Sequence, residues 1–191
     1  MFIEVADKLT GYMLQQDMIS DDKKEFCRFG IQQGLVLAIN LLTFFIIGIC
    51  LGMVWQTLIY LMAYIPVRVF AGGYHARTQE RCYFLSCALV GIVLELIRIS
   101  TGYIPVYLIA SAVAGVIILI LSPVGDRNKP LDQKEKAVYG HRARIMVLTE
   151  FIICVACSFF LEKLFLCISF ALITNGLMVL MGYMTNRVFI R

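Results

Sequence analysis

Apolar residues in this chain come in long blocks separated by short polar breaks, not in strict alternation. Six blocks stand out: Ile31–Met53, Val54–Phe70, Cys82–Ile99, Tyr103–Leu121, Ile145–Leu161 and Leu164–Met184. Each approaches or exceeds the roughly 20 residues that a helix needs to cross a bilayer. Backbone in lipid must satisfy its own hydrogen bonds, and without residue-by-residue alternation a barrel is excluded, so the blocks read as membrane helices. The first helix is expected to start ahead of its apolar run, because Ser20 is a good N-cap and Asp21 and Asp22 suit the positive end of a helix dipole. Further upstream, Phe2, Val5, Ala6, Leu9, Tyr12 and Met13 recur at helical spacing. That predicts an amphipathic helix lying on the membrane surface or against the bundle. The expected fold is all-α: a polytopic membrane protein of about six spans with an N-terminal amphipathic helix, as one domain over 1–191. Within it, 1–28 is the arm, and 71–81 and 122–144 are the two large polar loops.

Composition strengthens this picture. Of 191 residues, 60% are hydrophobic and only 16% charged, against about 25% charged in soluble domains. No basic head followed by an apolar core opens the chain, so no cleavable signal peptide is expected. All but Arg98 and Lys163 of the 17 lysines and arginines fall in the N-terminal arm, the loops after the second and fourth spans, and the C-terminus. The positive-inside rule then places both termini and both large loops in the cytoplasm of a plasma membrane.

Ionisable chemistry gathers at one place, the stretch GGYHARTQERC from Gly72 to Cys82. Cys82 stands where the third span begins. The partial positive charge of a helix start, with Arg81 beside it and Arg77 about one turn earlier, makes a thiol there easier to ionise. His75 is a candidate general base, since a cysteine paired with a histidine is an activated nucleophile. On a straight helix the two would lie about 10.5 Å apart along the axis, too far for the ~2.6–3.2 Å contact of proton transfer. The chemistry therefore requires residues 74–81 not to form one straight helix, and Gly72 and Gly73 supply the freedom to turn back. A histidine and a cysteine in a short loop are also compatible with no catalytic role at all.

Other polar residues carry plainer readings. Arg68, two residues after Pro66, either snorkels to headgroups or stabilises a thiolate or a substrate carbonyl or carboxylate. Glu95 and Arg98 are spaced for a local ion pair. The block Ser122–Arg144, with Lys129, Arg142 and Arg144, suits anionic headgroups or an acidic peptide. Cys154 and Cys157 are expected to pack in the core, and of seven cysteines six read as small hydrophobes. Among the motifs, HExxH, GxSxG, P-loop and dinucleotide fingerprints are missing, and two histidines are too few for a closed zinc site. No metal, cofactor or nucleic-acid partner is expected. A small membrane transporter of a signalling peptide is the alternative reading. It predicts polar residues converging at mid-membrane, where Asn40, Thr43, Thr174 and Asn175 are on offer. A non-catalytic membrane scaffold is a third.

The pattern Arg68-x-x-x-Gly72-Gly73-Tyr74-His75-Ala76, followed by Cys82, resembles the AgrB (accessory gene regulator B) family of bacterial membrane endopeptidases in peptide quorum sensing. Ser122-Pro123-Val124 and Asn128-Lys129-Pro130-Leu131 look like that family's second cytoplasmic loop. The resemblance implies a thiol protease with Cys82 as nucleophile and His75 as base. Its substrate would be a small amphipathic precursor peptide of the AgrD type, cut near its C-terminus and closed into a thiolactone or lactone. Arg68 and Gly73 match positions important in the family; Gly72, Arg77 and Lys129 join them as candidates for shaping the site or binding substrate. Membrane lipids and a second copy of the chain are the other implied partners. A third orienting group is left open among Glu80, Gln79 and Asn40.

Overall fold

The computed structural model describes residues 2–16, 18–74, 76, 78–100, 102–125 and 132–188, with the backbone alone at Phe2, Ile3, Gln79 and 186–188. Among these residues there are seven α-helices: α1 (Phe2–Gln15), α2 (Lys24–Cys50), α3 (Val54–Ala71), α4 (Gln79–Ile99), α5 (Ile104–Leu121), α6 (Gln133–Phe160) and α7 (Glu162–Val188). The last six are long and apolar enough to cross a membrane. The protein is therefore an all-α polytopic membrane protein, as the block pattern predicts. His75, Arg77 and Lys129 lie outside the described residues.

The chain divides into two compact units, Met1–Ile46 and Ile47–Arg191. In the first, α1 buries Ala6 and Thr10 and leaves the apolar Val5, Leu9 and Tyr12 exposed. Arg28 of α2 pairs with Asp7 of α1. Ser20 stands at the N-cap of a 3-10 turn, Asp21–Lys23, that leads directly into α2, but its side chain makes no capping bond.

The second unit is organised around α7. Within its most apolar stretch 72% of α7 is buried, against 22–28% for α3, α4, α5 and α6. Helices α3, α4, α5 and α6 all pack on it. Phe165, Ala171, Leu172, Asn175 and Val179 are fully buried. Small residues allow the closest approach: a Cβ on Gly176 would stand 2.8 Å from the Ala114 Cβ of α5. Several polar groups find partners within the bundle. The Thr174 hydroxyl donates to Phe170 O, the Ser111 and Ser169 hydroxyls bond each other, and Asn175 Nδ2 donates to Tyr64 O at 3.1 Å.

Two sequence expectations need correction. Of the polar block read as a loop over 122–144, the residues from Gln133 onward are helical, the start of α6. Asp132 and Glu135 form a reciprocal capping box, and no Gly or Pro interrupts the turns that follow until Gly140, so propensity carries the helix out beyond the apolar run. The cysteines also differ. Cys154, Cys157 and Cys167 are buried, but Cys27 and Cys87 are only partly covered and Cys50 is exposed. A thiol on a membrane helix need not be covered by protein to stay out of water, because lipid does that. The ion pair of Glu95 with Arg98 forms as expected, at 3.1 Å.

Candidate active site

The site begins at the end of α3. Gly72 caps that helix, its N–H donating to Arg68 O at 3.1 Å. Gly72 and Gly73 both take positive φ, +70° and +129°, a region that side-chain-bearing residues avoid. The helix thus stops and the chain turns, and α4 does not begin until Gln79. The straight helix that would separate His75 from Cys82 is not formed over the described residues.

Reversal of the chain turns the carbonyls of Gly72 and Tyr74 back towards Arg68. One guanidinium nitrogen donates to Gly72 O at 2.6 Å and the other to Tyr74 O. Arg68 therefore clamps the loop that follows its own helix. Its planar fork suits this, since two carbonyls at different positions are met by fixed donors.

Two other elements hold the same loop. Tyr74 N–H donates to Met178 O of α7 at 2.8 Å, although that carbonyl belongs to a helix interior. The approach is allowed by glycine on both sides: a Cβ on Gly73 would lie 2.8 Å from Met178 O, and one on Gly182 would lie 2.5 Å from the Gly73 carbonyl carbon. From the second polar segment, Val124 N–H donates to Ala71 O at 2.9 Å and Gly72 pairs with Val124 in a parallel bridge. Here too a Cβ on Gly72 would collide with the Val124 carbonyl. Beside this junction the Phe70 ring meets Tyr139 edge-on at 6.1 Å, and the Arg142 guanidinium stands 5.5 Å over the Phe70 ring.

Cys82 lies in the first turn of α4. Thr78 is the N-cap, its hydroxyl accepting from Arg81 N–H at 3.3 Å, and Cys82 N–H closes the first helical bond to Thr78 O at 3.0 Å. The Cys82 side chain is partly exposed. A cleft of about 300 Å³ opens here, lined by Tyr74, Ala76, Arg81 and Leu85. Two of these flank position 75 in sequence and the other two flank Cys82.

Of the residues singled out from sequence, Arg68, Gly72 and Gly73 meet in one arrangement, and Cys82 is the sequence neighbour of Arg81, which lines the cleft. Glu80 is exposed. Asn40 belongs to the other unit, and its Nδ2 donates to Val36 O of its own helix. Sequence reading missed Thr78, Met178 and Gly182, and met Val124 only as part of a family pattern. Thr78 had a signal, a capping residue just ahead of an acidic first turn; Val124 and Met178 contribute backbone atoms and had none.

The chain has relatives among known proteins. Two curated AgrB-like proteins of Clostridium perfringens are similar, one from strain SM101 / Type A at 21% identity and one from strain 13 / Type A at 20%. Each match spans 159 residues, covering 78% of this chain and 74% of the relative. No solved structure matches the chain. The profile of the family described as accessory gene regulator B matches residues 6–181, and the chain belongs to that family, whose membership associates it with the processing of agr quorum-sensing peptides.

Proposed function

We propose that this chain is a membrane cysteine endopeptidase that cuts a small amphipathic precursor peptide of the AgrD type and promotes its cyclisation. The observation that carries the proposal is Cys82 in the capped first turn of α4, next in sequence to Arg81, which lines a cleft together with Tyr74 and Ala76, the neighbours of position 75. The positive end of a helix favours a thiolate there, and Arg81 lines the same cleft.

In the proposed reaction His75 takes the Cys82 proton and the thiolate attacks the scissile carbonyl. The C–N bond then breaks, the departing amine takes the proton from His75, and a thioester to Cys82 remains. A cysteine or serine within the bound peptide next attacks that thioester, passing its proton to His75 and releasing Cys82. The product is a thiolactone or a lactone. Ring closure competes with water because a tethered nucleophile has a high effective concentration. An amphipathic precursor partitions into the membrane surface, which brings its scissile bond to the level of the loop. Orientation with both termini and this loop in the cytoplasm follows from the basic residues. Arg68, Gly72 and Gly73 act in this reading by fixing the loop, with Arg77 and Lys129 as contributors to substrate contact. A conduit for peptide is less well supported, because Asn40 and Thr174 donate to their own helices and Asn175 to Tyr64 O.

The test is co-expression with a candidate precursor, comparing wild type with Cys82→Ala and His75→Ala by mass spectrometry. Cleavage by wild type alone, with a peptide thioester trapped on Cys82, is the expected result. Cleavage that survives both substitutions would overturn the proposal.

A further inference from the structure

A second polar group sits in the bundle away from this site. Glu150 of α6 is 9% exposed, and its Oε1 is buried with no hydrogen-bond partner among the described residues. It lines a groove of about 390 Å³ between α3, α6 and α7, whose other walls include Met62, Pro66, Ile153, Leu164 and Ile168. An ionisable group inside a membrane helix is costly and marks function by default.

A second residue of the groove carries a freed acceptor. Pro66 has no N–H, so the carbonyl of Met62, four residues back, loses its helical donor. Both residues line the groove. Glu150 and Thr149 are its polar side chains and Met62 carries the freed carbonyl, set among otherwise apolar walls. These groups call for hydrogen-bond donors from the ligand. Glu150 is five residues past Ile145, where the apolar run of α6 begins, and Pro66 five before Ala71, where α3 ends. At 1.5 Å per residue both lie about 7.5 Å inside the loop end of the bundle, at acyl-chain depth.

Size and ligand count narrow the occupant. A single helical turn, about 5.4 Å long and 10 Å across, fills on the order of 400 Å³, so the groove takes one chain but not a docked helix. A bare hard cation wants about six oxygen ligands, which this lining cannot supply. A primary ammonium brings three donors on a small head, and an alkyl tail matches the apolar walls. We propose that the groove between α3, α6 and α7 is a binding site for a lipid-soluble, single-chain primary amine, its head on Glu150 and the Met62 carbonyl. One proton is shared between amine and carboxyl, so the pair is neutral overall and tolerable in lipid.

The test uses the full chain in phosphatidylcholine vesicles, which contain no primary amine, with dicyclohexylcarbodiimide as a lipid-soluble carboxyl reagent and dodecylamine as the probe ligand. Mass spectrometry is expected to find the adduct on Glu150 and to lose it in Glu150→Gln. Dodecylamine should slow formation of the N-acylurea adduct at least fivefold, any activated carboxyl passing to a dodecylamide with release of dicyclohexylurea, whereas dodecanol and dodecyltrimethylammonium, which lack the ammonium N–H donors, should slow it less than twofold. Met62→Trp, which fills the groove and keeps the carboxyl, should remove the protection. Equal protection by dodecanol, or none by dodecylamine, would overturn the proposal, as would a wild-type Glu150 that does not label. A reagent-dependent cross-link from Glu150 to a protein lysine would also overturn it, in favour of a protein segment as occupant. The competition on wild type decides the matter even where a variant fails to fold.

Discussion

Replacing Gly182 by alanine tests whether α7 sets the position of the proposed catalytic loop. The new Cβ would lie 2.5 Å from the Gly73 carbonyl carbon, 2.6 Å from Tyr74 N and 2.9 Å from Gly73 Cα. Carbon atoms rest at about 3.5–4.0 Å, so the loop must withdraw by about 1 Å. All three atoms are backbone and cannot swing aside as a side-chain tip would. Withdrawal also stretches the 2.8 Å bond from Tyr74 N–H to Met178 O. Overpacking of this kind costs about 1–3 kcal/mol of stability. Its effect on rate should be larger, because a ~1 Å misplacement of reacting groups costs on the order of 10²-fold.

Gly176→Ala is the matched control. Its Cβ would meet the Ala114 Cβ at 2.8 Å and Cα at 2.9 Å, a comparable clash with α5 that leaves the loop untouched. Gly34→Ala, with nothing within 4 Å, is the neutral one. The assay follows precursor cleavage over time beside thermal unfolding of each purified variant. Gly182→Ala and Gly176→Ala should lower the unfolding temperature alike, while only Gly182→Ala loses about thirtyfold or more in cleavage rate. Full cleavage by Gly182→Ala, or an equal loss in both, would refute the reasoning.

Further outcomes follow from individual contacts. Arg68→Lys should lose most cleavage although charge is kept, because one ammonium cannot replace a planar fork on Gly72 O and Tyr74 O; near-normal cleavage by the lysine variant would show that only charge matters there. Asp132→Ala should lower stability by about 1 kcal/mol through loss of the capping box on α6, read as a drop in unfolding temperature with cleavage kept. Glu95→Gln should change stability by less than about 1 kcal/mol, as its pair with Arg98 is solvent-accessible. Arg98→Ala should cost more in the same melt, because Arg98 also donates to the Leu51 carbonyl.

Much of this architecture was legible because membrane helices announce themselves in long apolar runs. The ends of α3, α4 and α5 fall close to where the runs stop, since Gly72, Thr78 and Ser122 sit at the breaks. The start of α6 was not legible from hydropathy, because capping and propensity carry it twelve residues into a polar segment. Glu150 was overlooked for the opposite reason: one carboxyl within an apolar run looks like noise until its neighbours are known. The loop's fastenings to Met178 and Val124 were beyond sequence reading, since both use main-chain atoms that every residue possesses.

What can be read physically, with the structure in hand, is why the arginine and the two glycines stand at their spacing. Arg68 is four residues before Gly72, so its side chain runs along the last turn of α3 towards the helix end, where carbonyls lack helical donors. A charged side chain there complements the negative end of the helix dipole. Yet the guanidinium reaches Gly72 O and Tyr74 O only if the chain folds back over it, which the positive φ of Gly72 and Gly73 achieves. Neither half works alone. Without the glycines the carbonyls would point away, and without Arg68 the reversed loop would carry part-buried carbonyls with their charged donor removed. Hydrogen bonds to a charged group are worth about 1.5–3 kcal/mol each. The arginine and the glycines are therefore expected to be strongly non-additive in a double-mutant cycle. Arg68→Ala should cost little more once Gly73→Ala has already displaced the loop, and simple additivity would show that the clamp and the turn act separately.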